Sequence, residues 1–233
     1  MHGIEIASFG TRVAGRVSNR VALGTTLQLT IYTTSRFLLI PFLPSLGYLV
    51  ESGISIHDYS LMILTAFILS FIVSITIIVK LNILQKFFQV VFIKYAKNTI
   101  PIALFKALVS KKIDFGQKNC DNFSLKKVDI KKTLVSCVAY LFLITGFFIS
   151  FLLAILFPEN RLTLSQFTAT FHGFGAIIFA FYLDPMLSRS IDLSSDNESW
   201  TKNIYSILLG RSLSYLAITI IMLIFIFMES YWL

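Results

Sequence analysis

Glu5, Arg12, Arg36, His172, Asp184 and Arg211 are ionisable residues set inside segments that are otherwise close to pure hydrocarbon. An ionised side chain at the centre of a bilayer costs at least about 2.5–3.5 kcal/mol. Each therefore needs a partner, water or a task. Glu5, Ser8, Arg12 and Gly15 follow i, i+3, i+7 and i+10, which puts them on one stripe of a helix, and Arg16 flanks its end. Snorkelling to the interface is the simplest account of Arg12; Glu5 lies deeper, and a polar cavity suits it. Arg36 follows Thr33, Thr34 and Ser35, about fifteen residues into its segment, so it reaches either the outer interface or a cavity. Asp184 and Arg211 fall at similar depth and are expected to pair. His172 stands beside Gly173 and Gly175, where a hydrogen-bonded core role competes with a proton-coupling one. Arginines outnumber the embedded acids. A surplus of guanidinium in a membrane cavity suits an anion, because it pairs with phosphate bidentately and stays charged when desolvated.

Other chemistry lacks its residues. The sequence has no HExxH, GxSxG or glycine-rich nucleotide loop, and no close catalytic pair of carboxylates. Cys120 and Cys137 form no CxxC pair and have no histidine nearby. No enzyme activity, catalytic residue, cofactor or metal site is expected.

The elements that must position these groups are membrane spans. The chain has 233 residues, 56% of them hydrophobic, with a mean hydropathy of +0.78. Runs of about eighteen or more apolar residues read as spanning helices. They recur at Val21–Phe42, Ser60–Val79, Thr133–Phe157, Leu164–Met186 and Ile204–Met228. A closed barrel would need alternation, which Leu61–Val79 lacks. A first, apparently incomplete span covers about residues 1–15. Met1–Val13 reaches only about 20 Å at 1.5 Å per residue, so it reads either as an incomplete first helix, as an upstream start would leave it, or as one that inserts part-way. Glu5 interrupts its apolar run and no basic region precedes it, which argues against a signal peptide. The expected fold is thus an all-α polytopic membrane domain over 1–233 with about six spans.

Lysine distribution sets the orientation. Twelve of the thirteen lysines fall in Lys80–Lys132, with only Asp114, Asp121 and Asp129 against them. Basic loops stay cytoplasmic. Threading from that loop puts Glu51–Asp58 and both termini outside, with Tyr231 and Trp232 as interfacial anchors. Within the loop, Leu84, Phe87, Phe88, Val91 and Tyr95 form a stripe with Lys86, Gln89, Lys94 and Lys97 mostly off it, which predicts an amphipathic interfacial helix. Pro101 ends it and Thr99 is positioned to cap a second, over Ile102, Phe105, Leu108 and Val109; Lys111–Lys132 reads as a polar connector. The net charge of +8 fits basic loops against anionic lipid. No nucleic-acid recognition motif accompanies it, so no nucleic acid is expected.

Several segments in order carry a family resemblance. His2, Glu5, Ser8 and Arg12–Val13–Ala14–Gly15–Arg16, then Ser18, Arg20–Val21–Ala22 and Ser35–Arg36, resemble the opening of the Amj family of bacterial lipid II flippases (alternate to MurJ). Pro44–Ser45–Leu46–Gly47 looks like the family's short connector. The likeness continues through Pro158–Glu159, Arg161–Leu162–Thr163, Gln166, His172–Gly173, Leu183–Asp184–Pro185 and Gly210–Arg211. His172 replaces an expected asparagine, and Ser212–Leu213–Ser214–Tyr215 replaces a small-residue run. The resemblance implies a protein of the bacterial cytoplasmic membrane that moves lipid II from the inner to the outer leaflet for peptidoglycan synthesis. Glu5, Arg12, Arg16, Arg36, His172, Asp184 and Arg211 would then bind the headgroup, with Glu5 and Asp184 orienting the arginines. Expected partners are lipid II and membrane lipids, and six helices being few for a transporter, a second copy. The rival readings are a non-transporting scaffold of envelope assembly and a polyprenyl pyrophosphate phosphatase.

Overall fold

A computed structural model describes residues 1–110, 128–192 and 197–232. Most of the expected connector Lys111–Lys132, with Cys120, lies outside the described residues. The elements are α1 (His2–Val17), α2 (Val21–Ser35), α3 (Leu39–Glu51), α4 (Ile56–Val79), α5 (Leu81–Tyr95), α6 (Ile100–Val109), α7 (Ile130–Leu156), α8 (Arg161–Ile178), α9 (Asp184–Asp192) and α10 (Asn197–Trp232). No strand occurs among the described residues. Among the described residues four stretches are long and apolar enough to cross a membrane: Ile56–Val79, Ile130–Leu156, Pro158–Ile191 and Ser199–Glu229. The protein is an all-α polytopic membrane protein.

The helices group into two compact units. The first holds Met1–Leu38 and Ile75–Ser124, the second Leu39–Ser74 and Leu125–Leu233. In the first, α1 and α2 form a hairpin. Its turn uses Asn19 at φ 55°, a left-handed conformation that asparagine tolerates better than most residues. Gly15 and Gly24 then let the two backbones touch: a Cβ on Gly24 would stand 2.6 Å from the Thr11 carbonyl oxygen. Thr11 Oγ1 crosses the seam to donate to the Gly24 carbonyl at 2.9 Å. The expected stripe on α1 is half right. Glu5, Ser8 and Gly15 are buried, but Thr11 completes the seam while Arg12 and Arg16 are only partly covered.

Four local expectations are corrected. The second segment does not run unbroken from Val21 to Phe42: α2 stops at Ser35, a 3-10 turn covers Arg36–Leu38, and α3 carries on to Glu51. Pro44–Gly47 is therefore helix and not a connector. Pro44 removes the backbone donor that would have reached Ile40 and sets its ring against that carbonyl, yet the helix continues through it. Helix α5 forms, but its buried face holds Leu81, Gln85, Phe88, Gln89 and Phe92, so Gln89 is inside where the stripe had put it outside. That face packs on α1, with Leu84 and Phe88 against Gly10, and joins Leu27, Ala103 and Ala107 in one cluster. Helix α6 begins after Thr99, whose side chain makes no capping bond.

The second unit is built on α7. Gly175 of α8 sits where a Cβ would be 2.7 Å from the Ala139 carbonyl oxygen. Gly210 of α10 is tighter still, 2.4 Å from the Thr133 carbonyl oxygen. Ser136 Oγ donates to the Ile207 carbonyl at 2.9 Å, and Ser214 Oγ to the Cys137 carbonyl at 2.8 Å. Small residues and hydroxyls of this kind hold helices together where lipid supplies no hydrophobic drive. Phe148 gathers α3, α4 and α7 through ring contacts with Phe42 and Phe67. The helical path does not end at Asp184. Pro185 has no N–H and its ring would meet the carbonyl four residues back, so Phe179–Leu183 opens into a π turn and the helix continues as α9.

The start of α7 has a measurable signature. Asp129 caps it, accepting from the Lys131 and Lys132 backbone N–H groups at 3.1 and 3.4 Å. Burial pushes its carboxyl upward, but the Lys132 N–H, the charges of Lys132 and Lys202 and the Lys131 N–H outweigh it, leaving the group below its ordinary 3.8. A depressed carboxyl stabilises the folded state above the unfolded pKa and loses that contribution as pH falls through the folded value. Asp129→Ala is therefore expected to cost about 1 kcal/mol near neutral pH. Thermal unfolding in detergent should show this gap shrinking as the buffer is taken below about pH 4.

Candidate functional site

The first unit collects charge around Glu5, which is 4% exposed. Arg36 Nε lies 3.7 Å from its Oε1, and His2 Nδ1 lies 3.8 Å from its Oε2. Ser35 Oγ donates to the same carboxylate at 3.4 Å. The 3-10 turn at Arg36–Leu38 begins immediately after Ser35, so both residues that reach Glu5 from this segment stand where α2 ends. Arg36 also donates to the Tyr32 hydroxyl, and its guanidinium carbon sits 4.6 Å from the centre of the Tyr32 ring. A quarter of the Arg36 side chain stays exposed. The arrangement is a cation held by a buried carboxylate and an aromatic face, with one side open.

The second unit holds the other arginine centre. Arg211 is 1% exposed. Its Nε donates to the Tyr215 hydroxyl at 3.0 Å, and its guanidinium carbon stands 4.6 Å from the Tyr140 ring centre. His172 is half-buried; its Nδ1 is 3.3 Å from the Leu143 carbonyl oxygen and its ring packs on Phe147. That geometry fits the hydrogen-bonded reading of this histidine. Asp184, also half-buried, opens α9 immediately after the π turn. An apolar groove of about 250 Å³ lies among α4, α7, α8 and α10, lined by Phe67, Phe142, Phe148, Phe171, Ile218 and Met222.

Of the predicted residues, Glu5 and Arg36 come together in the first unit, and Arg12 and Arg16 share their unit on α1. His172, Asp184 and Arg211 belong to the second. Sequence reasoning missed the tyrosines. A usable signal was present: Tyr32–Arg36 and Arg211–Tyr215 both have i, i+4 spacing, which stacks side chains on one helix face. What the fold and these groups define is a class, a helical membrane protein with two aromatic-lined arginine centres. Comparison with protein-family models, with curated proteins and with solved structures finds no match for the chain.

Proposed function

We propose that the protein carries an anionic lipid headgroup across a bacterial cytoplasmic membrane, with a polyprenyl pyrophosphate such as lipid II as the cargo that the resemblance implies. Both termini would lie outside. The observation that carries the reading is Arg36: a permanently charged side chain, three-quarters buried, at a break between two helices and held by Glu5. Helices interrupted at membrane depth build the binding sites of many transporters, because the freed backbone and a re-aimed side chain face a cavity and not lipid. A guanidinium oriented by a carboxylate on one side can grip a pyrophosphate on its open side while keeping that partner. The groove in the second unit offers hydrocarbon surface to a lipid chain.

A bacterial strain depleted of its own lipid II flippases supplies the test. The wild-type protein should restore growth. Arg36→Ala, present in the membrane at wild-type level, should not, while Arg36→Lys should restore it in part, because an ammonium keeps the charge but loses the fork. Full rescue by Arg36→Ala would overturn the reading.

A further inference from the structure

A second polar cavity, of about 530 Å³, lies where α7 begins and α9 and α10 approach it. Its lining includes Lys132, Tyr182, Arg189, Ser199 and Asn203, with Pro185 and Met186 as apolar floor. Among the described residues, none that lines it is a carboxylate. Lys132 is fixed in place: its Nζ donates to Asn203 Oδ1 at 2.6 Å, and Asn203 is 3% exposed. Arg189 faces the same cavity from α9, is exposed, and has no hydrogen-bond or ion-pair partner among the described residues. Asp129 is the nearest counter-charge to Lys132, at 3.6 Å. It is already engaged in capping α7 and is flanked by the charges of Lys132 and Lys202. Two cations on separate helices thus share a cavity whose described walls add hydroxyl and amide groups. An anion seated there would be attracted by both.

We propose that this cavity binds a phosphate group, gripped by Lys132 and Arg189 and solvated by the Ser199 and Tyr182 hydroxyls. The shape of the donor set selects phosphate: a fork from arginine and a point charge from lysine on one tetrahedral anion. Its position at the end of a spanning helix, beside the apolar Pro185–Met186 floor, suits a phosphate that comes on a lipid. The inference does not rest on translocation, since a protein that moves no lipid can still hold one.

Binding to the purified full chain in detergent decides it, using phosphatidic acid and diacylglycerol, which differ only by the phosphate. Native mass spectrometry should find phosphatidic acid retained on the wild type at least about tenfold over diacylglycerol. Lys132→Gln with Arg189→Gln should reduce that preference to about twofold or less. Lys132→Arg with Arg189→Lys should keep it, and so should Lys86→Gln with Lys97→Gln, which removes two charges elsewhere. Equal elution in size exclusion verifies that the variants are folded. Millimolar inorganic phosphate that displaces the lipid assigns the cavity to free phosphate; retention against it assigns the site to the headgroup. A Lys132/Arg189 double variant that retains phosphatidic acid like wild type overturns the proposal, as does an equal loss from the Lys86/Lys97 control.

Discussion

Gly210→Leu is expected to keep the protein from accumulating in membranes. A Cβ at this position would stand 2.4 Å from the Thr133 carbonyl oxygen and 2.6 Å from Ser136 Cβ. The first is backbone inside α7 and cannot swing away as the tip of a side chain would. Helix α10 must then step off α7, which also pulls apart Ser136 Oγ to Ile207 and Ser214 Oγ to Cys137. Overpacking costs about 1–3 kcal/mol where a core can adjust. Each interhelical hydrogen bond lost in a membrane adds about 0.6–2 kcal/mol. The sum, about 2–7 kcal/mol, reaches the lower end of the stability of a typical domain, about 5–15 kcal/mol. Gly173 provides the contrast, because nothing lies within 4 Å of a Cβ built there. Gly173→Ala should be neutral or stabilise by up to about 1 kcal/mol through helix propensity. Membrane levels and detergent unfolding temperatures of the two variants check both. Similar behaviour of the pair would contradict the packing described for α7 and α10.

The Glu5–Arg36 pair should show strong coupling. Arg36→Gln leaves a carboxylate that is 4% exposed without its main countercharge, a change that costs about 3–5 kcal/mol for a buried pair. Glu5→Gln should cost less, because Arg36 retains Tyr32 and partial exposure. The double variant Glu5→Gln with Arg36→Gln should recover most of the stability, for two neutral amides leave no bare charge. A double-mutant cycle by thermal unfolding should give a coupling of about 1–3 kcal/mol. If the pair exists only to hold α1 to α2, this variant should also recover activity. On the proposed function it folds and remains inactive.

What could be read from the sequence divides along physical lines. Spans such as α4 and α7 were legible because length and hydrocarbon content alone define them, and their ends fall within a few residues of expectation. The interruptions were not. Whether Pro44 or Pro185 ends a helix depends on whether neighbouring groups absorb one lost hydrogen bond. In α3 the helix runs on, and before α9 it loosens into a π turn. The α5 stripe was drawn against lipid, yet the helix packs on protein, where Gln85 and Gln89 are admissible as buried groups. Glu5 and Arg36 were legible as costly charges; their meeting was not, because it depends on the close approach of Gly15 and Gly24 and the turn at Arg36. Tyr32 and Tyr215 carried a local i, i+4 signal that apolar context concealed, whereas Tyr140 meets Arg211 from another helix and carried none.

Translocation by the purified protein is the most direct measurement of the central claim. Proteoliposomes holding the full chain and fluorescent lipid II would be exposed to a membrane-impermeant quencher, and transfer between leaflets followed in time. The account predicts faster transfer with wild-type protein than in empty vesicles, and the empty-vesicle rate with the stable Glu5→Gln/Arg36→Gln variant. Wild-type vesicles no faster than empty ones, or a double variant as fast as wild type, would contradict it.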